Sequence, residues 1–195
     1  MSVERDPFVR FGAWFAEASR SEPSDPNAMT LATVGPDGQP SVRVVLLKAF
    51  ENGGFTFYTN LESRKGREAL GALKAALCFH WKSLKRQVRA SGPVERVSDA
   101  EADAYFASRP RGSQIGAWAS LQSQVLPSRE ALEARVREFE AKFPQKVPRP
   151  PHWSGLRVVP LEIEFWTEGA YRLHERHRYT RARADAPWTM ETLFP

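Results

Sequence analysis

The feature of this sequence that most constrains its fold is a series of short β-type runs separated by turn signals. Aliphatic, β-branched and aromatic residues fill the runs, and Gly, Pro, Asn or Asp separate most of them, as in antiparallel strands. Strands are predicted at 29–34, 41–48, 55–59, 74–81, 87–97 (interrupted by Gly92-Pro93), 156–167 and 170–181, and the segment 188–194 closes the chain. Strands and helices do not alternate, so a parallel βαβ fold is disfavoured. The sequence predicts an α+β fold, an antiparallel β-barrel with peripheral helices.

Helix starts are marked by capping residues. Asp6-Pro7 begins a helix over about 7–20, and Ser63 caps a short one over 64–70. Ser98 and Glu101 form a capping box for a helix that reaches about Arg109 and stops at Pro110. Further predictions are a helix capped by Ser128, a compact segment over 111–118, and turns at Asn52-Gly53-Gly54 and Glu168-Gly169.

The size and composition of the chain bound its class. Its 195 residues suit one domain (1–195), in which the segment from about 155 to 195 completes the barrel. A net charge of +5 favours anionic partners such as nucleic acid, a membrane surface or a phosphorylated small molecule. The single cysteine, Cys78, cannot form an internal disulfide, which favours the reducing cytoplasm. No run reaches membrane-spanning length, so we expect no membrane association.

Two cations stand in the apolar strand predicted at 41–48. Arg43 and Lys48 are five residues apart, so a regular strand would send them to opposite faces, about 16 Å from each other. This arrangement indicates two separate anions. The alternative is that both cations are solvated at strand ends or paired with carboxylates.

The predicted return strand carries a basic face. With a period of two, Arg172, His174, Arg176 and Arg178 project from the same side. Such a face either meets an anion or is an exposed edge that discourages aggregation. Trp166 on the neighbouring strand could cover the flat ring of a ligand.

A second group of residues has the chemistry of a phosphate clamp. Tyr105 and Arg109 are four residues apart on one predicted helix, and Ser113 follows Pro110. They offer two hydroxyls and a guanidinium with two parallel donors. Neither a metal-ligand spacing nor a nucleophile elbow occurs, so a metal site and acyl transfer have no support.

Several motifs of this chain resemble those of the pyridoxine/pyridoxamine 5′-phosphate oxidase family. The resemblance runs in order from about Asp6 to the C-terminus. The shared motifs are Arg43-Val44-Val45-Leu46-Leu47-Lys48, Tyr58-Thr59-Asn60-Leu61 with Ser63-Arg64-Lys65, Ser108-Arg109-Pro110-Arg111 with Ser113-Gln114-Ile115-Gly116-Ala117-Trp118, Gln122-Ser123, Ile163-Glu164-Phe165-Trp166 and Arg172-Leu173-His174.

The resemblance implies an FMN-binding split β-barrel that works as a homodimer, with FMN at the subunit interface. The implied activity is oxidation of pyridoxamine or pyridoxine 5′-phosphate by O2 to pyridoxal 5′-phosphate, with release of H2O2. One alternative is a split-barrel protein that binds flavin or pyridoxal phosphate without turnover. Another, from net charge and the arginine face only, is a nucleic-acid-binding protein, but we expect no nucleic-acid partner.

The same resemblance implies the site residues. FMN contacts fall to Arg43, Val44, Val45, Leu46, Leu47, Lys48, Tyr58, Thr59, Arg64, Lys65, Gln87, Gln122, Ser123, Trp166 and Arg176. Substrate contacts fall to Lys48, Tyr105, Arg109, Ser113, Arg172 and His174. Of these, Arg172 and His174 would orient the substrate over the flavin.

Overall fold

The computed structural model describes residues 4–51 and 53–195, and within these ranges the chain forms five α-helices and nine β-strands. In chain order they are α1 (Pro7–Ser21), β1 (Ala28–Val34), β2 (Pro40–Leu46), β3 (Phe55–Asn60), α2 (Arg64–Ala72), β4 (Lys74–Trp81), β5 (Arg86–Arg96), α3 (Asp99–Ser108), α4 (Arg111–Ala119), α5 (Arg129–Lys142), β6 (Trp153–Val158), β7 (Glu162–Thr167), β8 (Glu175–Thr180) and β9 (Thr189–Leu193). None of the described helices is both long and apolar enough to cross a bilayer.

The strands form one antiparallel sheet around the core. Its main path is β2-β1-β4-β5-β7-β8-β9, and β6 branches from β5 to pair with β3. Strand β5 changes partner along its length, pairing with β7 through Ser91 and with β6 from Val94. A Cβ at Gly92 would lie 2.1 Å from the Val159 carbonyl oxygen, so only glycine lets the chain cross at this point. Among the described strands the path ends at β2 and β9 without closing, as in a split barrel.

Helix α1 seals one end of the barrel. The Asp6 carboxylate accepts a hydrogen bond from the Phe8 amide, and Pro7 occupies the first turn, as predicted. Phe11 is fully buried, with its ring centroid 4.9 Å from that of Phe55 and 5.1 Å from that of Phe79. A second apolar cluster, made by α3, α4 and α5 with Trp153, lies beside the barrel. A cleft opens between this cluster and strands β2 and β3.

Several predicted boundaries are wrong. The single strand 156–167 is two strands, β6 and β7, because Pro160 lacks the amide hydrogen that a central strand needs. Segment 111–118 is helix α4, and β5 runs through Gly92-Pro93 without interruption. Strand β2 ends at Leu46, so Lys48 lies beyond it rather than on its opposite face. The predicted turn at Asn52 lies partly outside the described residues.

The predicted basic face is also wrong in part. Strand β8 begins at Glu175, so only Arg176 and Arg178 share a strand face. Arg172 and His174 lie before it, next to a short 3₁₀ turn in which Tyr171 and Arg172 have φ of 55° and 64°. Left-handed backbone is uncommon for residues other than glycine, and here it folds the chain out of extended geometry.

Candidate functional site

A cleft of about 670 Å³ opens between β2–β3 and the helices α2–α4, within the size range of small-molecule sites. Its lining consists of Val44, Val45, Leu46, Lys48, Tyr58, Thr59, Asn60, Lys65, Tyr105, Arg109, Pro110, Ser113, Gly116, Ala117, Ser120, Gln122 and Trp153. Three of these side chains, Lys48, Lys65 and Arg109, are cations, and no described residue of the lining is acidic. The cleft is therefore suited to an anionic ligand.

Lys65 brings a cation to the first turn of α2. Its Nζ atom lies 3.4 Å from the hydroxyls of Thr59 and Ser63, and Ser63 also caps the helix by accepting from the Gly66 amide. Burial lowers the pKa of the Lys65 ammonium, and the nearby Arg43 guanidinium lowers it further. A cation in the first turn of a helix is unfavourable unless an anion lies with it. This end of the cleft therefore suits a phosphate.

Arg43 is tied to a buried carboxylate behind the cleft. Its guanidinium lies 3.3 Å from Glu68 and donates to the hydroxyls of Ser41 and Thr33, both at 2.5 Å. Glu68 also accepts from Arg64 at 2.7 Å. Burial alone would raise the pKa of Glu68, but hydrogen bonds from Ser41, Thr33 and Arg64 outweigh it and lower the pKa to about 2. For Arg43 the carboxylate alternative raised by the sequence is therefore realised, and Arg43 does not line the cleft.

Arg109 lies at the C-terminal end of α3, against aromatic rings. Its guanidinium carbon is 4.7 Å from the ring centroid of Trp153 and 5.6 Å from that of Phe106. Burial lowers the pKa of the guanidinium, partly opposed by Tyr105. Its Nη1 atom is buried and has no hydrogen-bond partner among the described residues. A buried donor without an acceptor is costly, and an anionic ligand at this position would satisfy it.

Aromatic side chains form one wall of the cleft. Tyr58 stacks on Tyr105 with ring centroids 3.9 Å apart and on Trp153 at 5.3 Å. Burial, helped by the charges of Glu101 and Tyr105, raises the pKa of the Tyr58 hydroxyl to about 12. Tyr58 therefore remains a neutral donor at physiological pH.

The other predicted site residues divide into two groups. Near the cleft but outside its lining, Leu47 is buried and the Ser123 hydroxyl accepts from the Arg64 amide at 3.1 Å. The remaining five, Gln87, Trp166, Arg172, His174 and Arg176, belong to a separate region that we call the β7–β8 patch.

The β7–β8 patch is continuous. Gln87 pairs with Trp166 across β5–β7, and Trp166 pairs with Arg176 across β7–β8. The His174 ring lies 4.6 Å from Trp166 and accepts from the Gly169 amide at 3.2 Å. Arg176 donates to the buried carboxylate of Glu164 at 2.8 Å. A single chain therefore carries the predicted site residues in two separate places, the cleft and the β7–β8 patch, and neither place holds the full set.

Two family models match the chain. One, described as pyridoxamine 5′-phosphate oxidase, matches residues 15–143, and the other, described as the pyridoxine 5′-phosphate oxidase C-terminal dimerisation region, matches residues 153–195. The chain belongs to the pyridoxamine 5′-phosphate oxidase family. The family predicted from the sequence motifs is confirmed.

Individual members of the oxidase family agree with this result. Relatives from Brucella canis and Brucella suis, both named pyridoxine/pyridoxamine 5′-phosphate oxidase, are 60% identical over 191 residues, which cover 97% of this chain and 94% of theirs. The solved structure of PhzG from Burkholderia lata 383, in complex with tetrahydrophenazine-1-carboxylic acid, has a TM-score of 0.90 at 34% identity and covers 98% of this chain and 94% of that one.

An FMN-binding protein related to pyridoxamine 5′-phosphate oxidase, from Nostoc punctiforme, extends the likeness of the fold. It has a TM-score of 0.78 at 19% identity and covers 100% of both chains. The fold likeness confirms the predicted split barrel, and the family models with the 60% identical relatives confirm the predicted class of enzyme, an FMN-dependent oxidase.

Several residues that line the cleft are not among the site residues predicted from the sequence. Trp153, at the start of β6, lies under Arg109 and Tyr58, but it is not part of the motifs shared with the family. Asn60 also lines the cleft and belongs to the motif Tyr58-Thr59-Asn60-Leu61 shared with the family, so it could have been predicted as a site residue. The roles assigned to individual site residues stay predictions.

Proposed function

We propose that the cleft is the active site at which this chain oxidises pyridoxamine or pyridoxine 5′-phosphate to pyridoxal 5′-phosphate. The observation that carries the proposal is the presence of two cationic groups on different elements of one cleft, Lys65 on α2 and Arg109 on α3. Two such groups match a phosphorylated cofactor and a phosphorylated substrate held together. The 60% identity to relatives named for this activity supports the same conclusion.

The residues present fit FMN. Lys65, at the first turn of α2, would receive the FMN phosphate, with the hydroxyls of Thr59 and Ser123 close by. Residues 44–46 and Gln122 line the cleft where the rest of the cofactor would lie. When bound, FMN supplies a hydride acceptor that O2 reoxidises with release of H2O2.

Other residues of this chain would hold the substrate. Arg109 would offer the substrate phosphate its Nη1, which has no partner in the described part of the chain, and Ser113, Tyr105 and Lys48 line the same cleft. A guanidinium binds phosphate through two parallel hydrogen bonds, which fixes direction as well as distance. Held in this way, the substrate's C4′ carbon would be presented to the cofactor in one orientation, and orientation is a large part of the catalytic effect.

A homodimer would bring the β7–β8 patch of one subunit to the cleft of the other. In a single chain, Arg172, His174 and Arg176 do not line the cleft. Edge strand β2 also carries Val42 and Val44 at 68% and 65% exposure, and such an apolar edge favours association. In the assembled dimer, Arg172 and His174 of the partner would cover the substrate and exclude water.

The first test is a colour change under controlled oxygen. Purified protein should be yellow, should bleach when pyridoxamine 5′-phosphate is added without O2, and should recover its colour in air. A yellow protein that no substrate bleaches would instead be a carrier or sensor.

We expect the activity in the cytoplasm, since the only cysteine is free.

A further inference from the structure

We propose that Arg157 is a positioning residue for recognition of the substrate phosphate, acting through Glu101. The Arg157–Glu101 ion pair sets the rotation of helix α3, and this rotation turns Tyr105 and Arg109 toward the cleft. The inference rests on the proposed function, because Arg109 is taken there as the ligand of the substrate phosphate.

The first step is a match of spacing between α3 and β6. Glu101 and Tyr105 lie four residues apart on one face of α3, and Arg109, which caps the C-terminus of the helix, follows after four more, each step being about 6 Å. Positions 153, 155 and 157 alternate on one face of β6 at about 6.6 Å. The two series run in opposite directions and stay in step over their whole length.

The second step is that each position makes its own contact. At one end, Arg157 donates from Nη2 to both carboxylate oxygens of Glu101 at 2.9 Å. At the other end, the Arg109 guanidinium lies 4.7 Å from the ring centroid of Trp153. These two contacts fix the helix at its first turn and at its last.

The middle position depends on a missing side chain. A Cβ at Gly155 would lie 2.8 Å from Cε1 of Tyr58, so the ring of Tyr58 crosses the strand where Gly155 leaves room. There it stacks on Tyr105 at 3.9 Å. The middle contact is therefore a flat aromatic stack, which permits sliding, so on this face of α3 the charged contact at the first turn is the one that resists rotation.

The third step is that Arg157 cannot easily find another arrangement. Its side chain is buried and also donates from Nη1 to Glu95 at 3.0 Å and from Nε to Thr56 at 3.2 Å, so the barrel fixes two directions of its guanidinium and leaves the third for Glu101. Glu101 stands in the first turn of α3, where a carboxylate also interacts favourably with the helix dipole. Arg157 thus fixes the position of α3 relative to β6.

Arg149 offers a matched comparison. It too is a largely buried arginine that binds two carboxylates of α3, Asp99 at 2.9 Å and Asp103 at 2.5 Å. These residues lie two positions from Glu101 on either side, and therefore on a different face of the helix. Arg149 also donates to the Trp153 carbonyl oxygen at 2.9 Å, so it is a demanding comparison. Because its carboxylate partners lie on another face of α3, we expect its loss to lower stability while the KM stays near that of wild type.

The experiment compares Arg157→Ala, Arg157→Lys, Glu101→Gln and Arg149→Ala as FMN-loaded protein. We expect Arg157→Ala and Glu101→Gln to raise the KM for pyridoxine 5′-phosphate roughly tenfold, below the ~100-fold that a 1 Å misplacement can cost. Their kcat, FMN content and KM for unphosphorylated pyridoxine should stay within about twofold of wild type. Arg157→Lys should recover part of the loss, and the double variant should be no worse than the poorer single one. Equilibrium binding of pyridoxal 5′-phosphate and of inorganic phosphate should weaken in parallel with the KM.

Three results would overturn the inference: equal losses on phosphorylated and unphosphorylated substrate, the same KM increase in Arg149→Ala, or additive effects in the double variant. Glu101→Gln, at a partly exposed position, decides the matter if Arg157→Ala does not fold. If wild-type protein has no oxidase activity, the proposed function fails. The binding measurements then still test Arg157 and Glu101.

Discussion

Arg109→Ala is the substitution that most directly tests how the cleft recognises its substrate. The guanidinium packs on Trp153, and one of its buried donors has no hydrogen-bond partner among the described residues. Binding of a phosphate would give that donor a charged acceptor, and a hydrogen bond to a charged group contributes about 1.5–3 kcal/mol. At about 1.4 kcal/mol per factor of ten, the KM for pyridoxine 5′-phosphate should rise roughly 10- to 150-fold.

The assay is steady-state kinetics on the FMN-loaded protein with pyridoxine 5′-phosphate and with pyridoxine. FMN occupancy should be unchanged, because Lys65 rather than Arg109 lies at the end of the cleft assigned to the cofactor phosphate. Arg109→Lys should recover only part of the loss, since an ammonium keeps the charge but not the planar fork. With pyridoxine the defect should largely disappear. Equal losses on both substrates would refute the reasoning, because Arg109 would then hold the fold or the cofactor.

The remaining predictions concern the cofactor, acid stability and assembly. Lys65→Ala should weaken FMN binding while riboflavin binding, which we expect to be weaker than FMN binding in wild type, changes little; a fluorescence titration with both ligands checks this. Because the folded pKa of Glu68 lies below its unfolded value, its contribution to stability is present above about pH 4.5 and is lost as the pH falls toward 2. Thermal unfolding between pH 6 and pH 3 should therefore show a shallower loss in Glu68→Gln than in wild type, and parallel curves would contradict the role of the buried carboxylate. FMN should shift the monomer–dimer equilibrium toward dimer in a sedimentation dilution series, since a ligand that binds only the dimer stabilises it; a monomer that retains FMN would exclude an interface site.

Local chemistry explains what the sequence could predict. The caps Asp6, Ser63, Ser98 and Ser128 act within three residues of themselves, so four helix starts could be predicted from short patterns. The left-handed turn at Tyr171-Arg172 could not be predicted, because neither tyrosine nor arginine is a residue type that favours positive φ.

Long-range pairing explains most of what was missed at the site. Glu68 lies 25 residues from Arg43 and Arg157 lies 56 residues from Glu101, and no periodicity links positions so far apart. The anionic character of the ligands was predictable from charge. Which cation faces the cleft and which is neutralised behind it depends on tertiary packing, and only the structure separates Arg43 from Lys65.

The separation of the cleft from the β7–β8 patch has a genetic consequence if each site takes one set from each subunit. A chain altered only at Arg109 would retain an intact patch, and a chain altered only at His174 would retain an intact cleft. Each homodimer would be defective at both of its sites, yet a mixed dimer would contain one site with no altered residue and one with two. Random mixing in equal amounts would place a functional site in about half of the dimers. Two inactive alleles of this gene could therefore complement each other in the same cell.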